Sequence, residues 1–182
     1  VQRQGLKQIV VQLPGVKEPK RARDLIKETA LLEFKMLDED NQLKLDLPAR
    51  IPKDKEAEIL KQAEAKLPEG DQILFERGVD KDTGREYRVP YLVKKRVMLT
   101  GDVLSDARVS IGQFNDPYVS ITFDAKGGRE FERITGDNVK KRMAVVLDNT
   151  IYSAPVIQDR ITGGRAQITG TFSMQEANDL AI

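Results

Sequence analysis

The side chains that most often do chemistry at neutral pH are missing from this chain, which has no His and no Cys among its 182 residues. Imidazole is the commonest general base and metal ligand, and the thiolate is a strong nucleophile, so these chemistries have no carrier. Carboxylates are plentiful, yet none stands with a partner in an apolar setting that would raise its pKa for acid catalysis. Asp124, Asp137 and Asp148 fall at the ends of expected elements, where turn and cap chemistry accounts for them. Gly127-Gly128 and Gly163-Gly164 could cradle a phosphate, but neither belongs to a GxGxxG or Walker pattern, and helix entry and hairpin turn explain them better. Lys94, Lys95 and Arg96 beside Tyr91 make a small basic-aromatic cluster, read as a solvated junction. The pattern therefore predicts no catalytic residue, no cofactor site and no metal site, and the chain is not expected to be an enzyme.

Met143 to Val156, reading MAVVLDNTIYSAPV, is the clearest apolar run and the clearest reversal. Met143, Val145 and Leu147 alternate with Ala144 and Val146, so both faces are apolar, as in a strand covered on two sides. Asp148 and Asn149 tolerate the left-handed backbone of a tight turn, and Ile151 and Tyr152 restart an extended segment that Pro155 ends.

Two strand-helix-strand halves flank a different kind of sequence. In the first half, Lys7 to Leu13 alternates, Ala22, Leu25, Ile26 and Thr29 make a helical stripe, and Leu32, Phe34 and Met36 alternate with Glu33 and Lys35. The two strands should run parallel with a right-handed crossover. In the second half, Val119, Ile121 and Phe123 make a strand, Phe131 and Ile134 mark a helix ending at Gly136, and Met143 to Leu147 follows. A strand at Ala166 to Thr169 and a helix capped by Ser173 look like additions. The predicted fold class is α+β, a ferredoxin-like split β-α-β base. Residues 39–96 should form a small α+β head inserted between base residues 1–38 and 97–182. There Asp54 to Leu67 is expected to be a helix, and Gln72 to Phe75 should pair with Tyr87 to Val93 around the Asp82-Thr83-Gly84 turn.

Lys+Arg 30 against Asp+Glu 29 gives a net charge of +1, which provides no global field to attract nucleic acid. The alternative of a ferredoxin-like nucleic-acid-binding module is further weakened by aromatics at only 5%, since such sheets stack bases on rings. No run approaches the ~18 apolar residues of a spanning helix. The closing SMQEANDLAI reads as an unfinished amphipathic helix, so a fragment of something longer is expected.

Several long blocks in order, QRQGLKQIVVQLPGV, TALLEFKML, VMLTGDVLSDARV, SITFDAKGGREFERIT and GDNVKKRMAVVLDNTIYSAPVIQDRITGGRAQITGTFSMQEANDLA, resemble the SecD family of bacterial protein-export membrane subunits. The resemblance implies a first periplasmic domain, excised from its membrane spans at the inner membrane. It implies as partners SecF, the Sec translocation channel and unfolded preprotein, with no nucleic acid. It also implies a head that changes orientation in a cycle driven by the proton gradient, whose proton-carrying residues lie in membrane spans outside this sequence. Asp38, Glu39, Asp40, Pro90, Lys94 and Lys95, where charged residues and Pro90 interrupt the flanking alternation, are the hinge candidates.

Overall fold

Alternating strands and one amphipathic helix dominate the computed structural model, which describes residues 2–4, 8–10, 31–80, 82–113, 116–170 and Ala177. The chain divides into two compact units, Val1–Ala30 and Leu31–Ile182. In the first, β1 (Gln2–Gln4) pairs antiparallel with β2 (Gln8–Val10), a hairpin the sequence did not suggest. The helix expected around Ala22 to Thr29 and the one capped by Ser173 lie outside the described residues.

The second unit begins with β3 (Leu32–Leu37), followed by a short helix α1 (Glu39–Leu45) and β4 (Ile51–Pro52). Helix α2 (Glu56–Ala63) lies within the predicted Asp54 to Leu67 segment, flanked by short 3-10 turns on both sides. Then comes a long hairpin of β5 (Asp71–Val79) and β6 (Glu86–Thr100), antiparallel from Asp71 opposite Lys94 to Val79 opposite Glu86. Its turn is built as the sequence implies: Asp80 Oδ1 accepts from the Asp82 and Thr83 amides, and Gly84 takes φ +67°. β7 (Leu104–Ile111), β8 (Pro117–Phe123), α3 (Ala125–Asp137), β9 (Met143–Leu147), β10 (Thr150–Ser153) and β11 (Arg165–Thr169) complete the described elements.

The β9-β10 hairpin matches its sequence signal. Every residue of β9 is buried, and Asp148 and Asn149 adopt φ +47° and +61° between Leu147 and its partner Thr150. The pairing of the whole sheet departs from expectation. β3 lies between β9 and β6, antiparallel to both, and β10 pairs parallel to β5, so the order β3-β9-β10-β5-β6 closes back on β3 as a barrel-like sheet. β8 belongs to a separate sheet, between β7 and β11. The described residues thus form a mixed α+β fold in which β8 and β9 do not share a layer, unlike the ferredoxin-like split β-α-β base. Of the strand predicted from Lys7 to Leu13, only Gln8–Val10 lies among the described residues, as β2 paired antiparallel with β1.

The principal core lies between the two sheets and α3. Phe34, Phe123 and Phe131 meet there with ring centroids 4.6 to 5.9 Å apart, alongside Val119, Ile121, Ile134, Met143, Val145 and Leu147. Such aromatic pairs add on the order of 1 kcal/mol each beyond their buried area. The barrel side holds Leu37, Leu74, Val93, Ala144, Val146, Ile151 and Ala154. A third cluster, Ala63, Ile73 and Leu92, sits under α2 with Leu45, Leu47, Leu67 and Phe75 partly buried around it.

Candidate functional site at the junction of residues 38 and 94

Two of the hinge candidates, Asp38 and Lys94, are drawn together beside β6. As β3 ends, the Asp38 amide donates to Leu92 O at 2.9 Å, and Gln42 Oε1 accepts from the Leu92 amide at 2.9 Å. The edge of β6 is thereby covered by β3, then α1, then β4 at Arg88 and Tyr87. Asp38 caps α1, its carboxylate accepting from the Asn41 amide at 3.1 Å and from Asn41 Nδ2 at 2.9 Å. Lys94 faces it across the junction and donates to Asp38 Oδ2.

A second carboxylate, not anticipated from the sequence, completes the cluster. Asp71 stands directly opposite Lys94 in the β5-β6 register and is entirely buried. Lys94 Nζ lies 3.0 Å from Asp71 Oδ1, within ion-pair range, yet no donor is aligned to hydrogen-bond that oxygen. Burial pushes the Asp71 carboxyl up, with Lys94 opposing and Asp38 reinforcing the shift. Burial would also raise Asp38, but hydrogen bonds from Lys94 and Asn41 outweigh it and hold Asp38 well below the usual carboxylate range. Bonding to Asp38 and Asp71 raises the Lys94 ammonium.

The other candidates stand apart from this cluster. Glu39 and Asp40 are exposed in the first turn of α1, where negative charge favours the helix dipole. Pro90 is buried inside β6 opposite Phe75, and Lys95 is exposed while its amide donates to Gly70 O at 2.8 Å. Across the barrel, Tyr91 is half-buried under Arg142, whose guanidinium carbon lies 5.0 Å from the ring centroid and whose Nε donates to Ala154 O at 2.8 Å. Glu76 beside them is raised by burial, partly offset by Tyr91 and Arg142.

The seams around these residues are uneven. β5 meets β10 only where Phe75 lies opposite Thr150 and Glu76 opposite Ile151, and the β3-β6 register shifts between Phe34 and Leu37. The β5-β6 hairpin, by contrast, pairs along its whole length.

The carboxylates and glycines that might have signalled chemistry have structural partners. Asp124 caps α3 through the Gly127 amide at 2.6 Å, Asp137 pairs with Arg133 at 3.3 Å, and Asp148 accepts from the Leu31 amide at 3.0 Å. The two glycine pairs, remote in sequence, touch: a Cβ on Gly128 would lie 3.1 Å from the Gly164 Cα. Close approach of α3 to the β11 entry therefore requires Gly128 and Gly164. Among the described residues no group of three or more carboxylates is placed to hold a metal ion, and no helix is long and apolar enough to cross a membrane.

Residues 73–182 match the family profile described as SecDF, P1 head subdomain, and residues 1–39 match the profile for the N-terminal part of the P1 domain of protein translocase subunit SecDF. The chain belongs to the SecDF family. SecD of Calditerrivibrio nitroreducens is 48% identical over 184 residues, covering 100% of this chain and 33% of that protein. SecD of Magnetococcus marinus is 43% identical over 182 residues, covering 100% of the chain and 31% of the relative. The chain thus spans about a third of the length of these SecD relatives. Among solved structures, a SecDF described as a membrane component that enhances protein export is 34% identical with a TM-score of 0.59, over 99% of this chain and 74% of that one. A SecDF in a super-membrane-facing form is 33% identical with a TM-score of 0.56, over 93% of this chain and 21% of that one. The curated relatives are named protein translocase subunit SecD, and the first of these structures is described as a membrane component that enhances protein export.

Proposed function

We propose that this chain is the extracytoplasmic P1 domain of a SecD subunit in the bacterial inner membrane, on the periplasmic side. Working with SecF and the Sec channel, it binds emerging unfolded preprotein. The lobe of residues 39–96 moves against the remainder, coupled to a proton-driven membrane part, and this movement assists export and release. The hinge comprises Asp38, Glu39, Asp40, Pro90, Lys94 and Lys95.

The observation that carries the movement is the short β5-β10 seam beside the fully paired β5-β6 hairpin. The lobe is held by few ladder bonds at the β5-β10 seam, whereas on the other side the Leu37-Val93 pairing, the Asp38-Leu92 bond and the ionic cluster tie it to β3, so turning would open the β5-β10 seam while the hairpin stays paired. Leu43, 83% exposed on α1, and Leu60 on α2 offer apolar surface to an unfolded chain.

The test uses the absence of cysteine. Phe75→Cys with Thr150→Cys in the full-length protein, any cysteine outside these 182 residues being replaced by Ser, places two thiols directly opposite each other across the seam. Oxidation should slow preprotein export in a membrane-vesicle assay, and reduction should restore it. Full export by the oxidised protein would refute lobe movement as part of the cycle.

A further inference from the structure

The junction holds two carboxylates and one ammonium, an arrangement that cannot be neutral when all three are ionised. Asp71 has no access to solvent, and its Oδ1 receives no aligned donor. An ionised Asp71 there would be a buried charge half-satisfied by a cation that Asp38 also claims, which is costly. A proton on Asp71 removes that cost, because a neutral carboxyl can donate to Asp38 while Lys94 neutralises Asp38 alone.

We propose that Asp71, Lys94 and Asp38 form a proton-operated latch on the junction, closed when Asp71 carries a proton and loosened when that proton leaves to solvent. The charged groups facing Asp71 are Lys94 from β6 and Asp38 from the cap of α1. Hydrogen bonds favour the ionised form of Asp38 and the protonated form of Lys94, whereas burial favours a proton on Asp71. The sign follows from linkage. A carboxyl raised in the closed state favours closure most strongly below its ordinary pKa, and the advantage is lost as pH rises through the closed-state pKa. Loosening frees the α1 cap from β6, since Asp38 and Gln42 are what tie α1 to Leu92. As control of the lobe, the latch rests on the movement proposed above; as a local proton-linked opening, it stands by itself.

The test is a pH series on the 182-residue chain with two readouts. Carbon NMR of the Asp71 carboxyl should show a midpoint above the ordinary carboxylate range. Amide exchange at Leu92 and Lys95, divided by the intrinsic exchange rate, reports opening of the α1 cap and of the Gly70 contact. It should rise about tenfold per pH unit between the open-state and closed-state pKa of Asp71 and then level off. Asp71→Asn, an uncharged isostere able to donate to Asp38, should keep protection flat over the same range. An ordinary midpoint for Asp71 overturns the latch, and so does pH-dependent opening that persists in Asp71→Asn. The latch and the lobe reading fail separately: proton-linked opening at Leu92 with export unaffected by the Phe75-Thr150 disulfide supports the latch and refutes the swing. Disulfide-sensitive export with flat exchange in the native sequence does the reverse.

Discussion

Adjacent residues of β9 face two environments held together by different physics. Met143, Val145 and Leu147 point into the core closed by three phenyl rings and α3. Ala144 and Val146 point into the barrel side, where the neighbours are smaller and come from β3, β5, β6 and β10. Charges lie close to that second environment: Glu33 and Lys35 pair at 3.0 Å while almost fully buried, Glu76 and Arg142 flank Tyr91, and Lys94 bridges Asp38 and Asp71. Apolar packing has no switch, since nothing in it responds to pH or charge. Ionic clusters can be altered by a single proton. The difference assigns permanence to the α3 side of the strand and responsiveness to the lobe side.

The comparison breaks first at Val145→Asp. Placing a carboxylate among the rings should cost on the order of 3 kcal/mol or more, read as a shift of the urea midpoint. A loss under about 1 kcal/mol would mean that the α3 side is not the sealed one. Lys94→Met should cost about 2 kcal/mol at pH values where Asp71 is ionised, because it leaves the buried carboxylate without its cation. The deficit should shrink in acid as Asp71 takes up a proton, whereas a deficit constant with pH would show that only packing had been lost. Gly128→Ala should cost about 1 kcal/mol, since its Cβ meets the backbone of Gly164 and α3 must shift. An unchanged melting temperature would show that the α3 side gives more readily than its packing implies. Smallest of all, Leu60→Ala on the exposed face of α2 should change stability by less than about 0.5 kcal/mol.

Local chemistry was legible in the sequence wherever one residue type decided one conformation. Asp148 and Asn149 marked the hairpin turn, Gly84 marked the β5-β6 turn, and Phe131 with Ile134 marked the buried stripe of α3. Sheet membership was not, because alternation says that a strand has a buried face but not which edge it meets; hence β8 and β9 were wrongly joined in one layer. The hinge candidates carried Asp38 and Lys94 but missed Asp71, which reads as one more acid in a charge-dense stretch. Its signal was present all the same. Once the Asp82-Thr83-Gly84 turn is accepted, extending the predicted pairing outward by a few residues sets Asp71 across from Lys94. Nothing local could have indicated that Gly128 rests on Gly164, a contact that depends on how α3 docks.

The most direct test of the central claim is a distance measurement across the junction. Spin labels on Leu43→Cys in α1 and Arg129→Cys in α3, both exposed, report the lobe against the side of the molecule held by packing. The account predicts two distance populations in the otherwise native chain, with the second one enriched when Lys94→Met removes the bridging cation. One narrow population, unmoved by Lys94→Met, would contradict it.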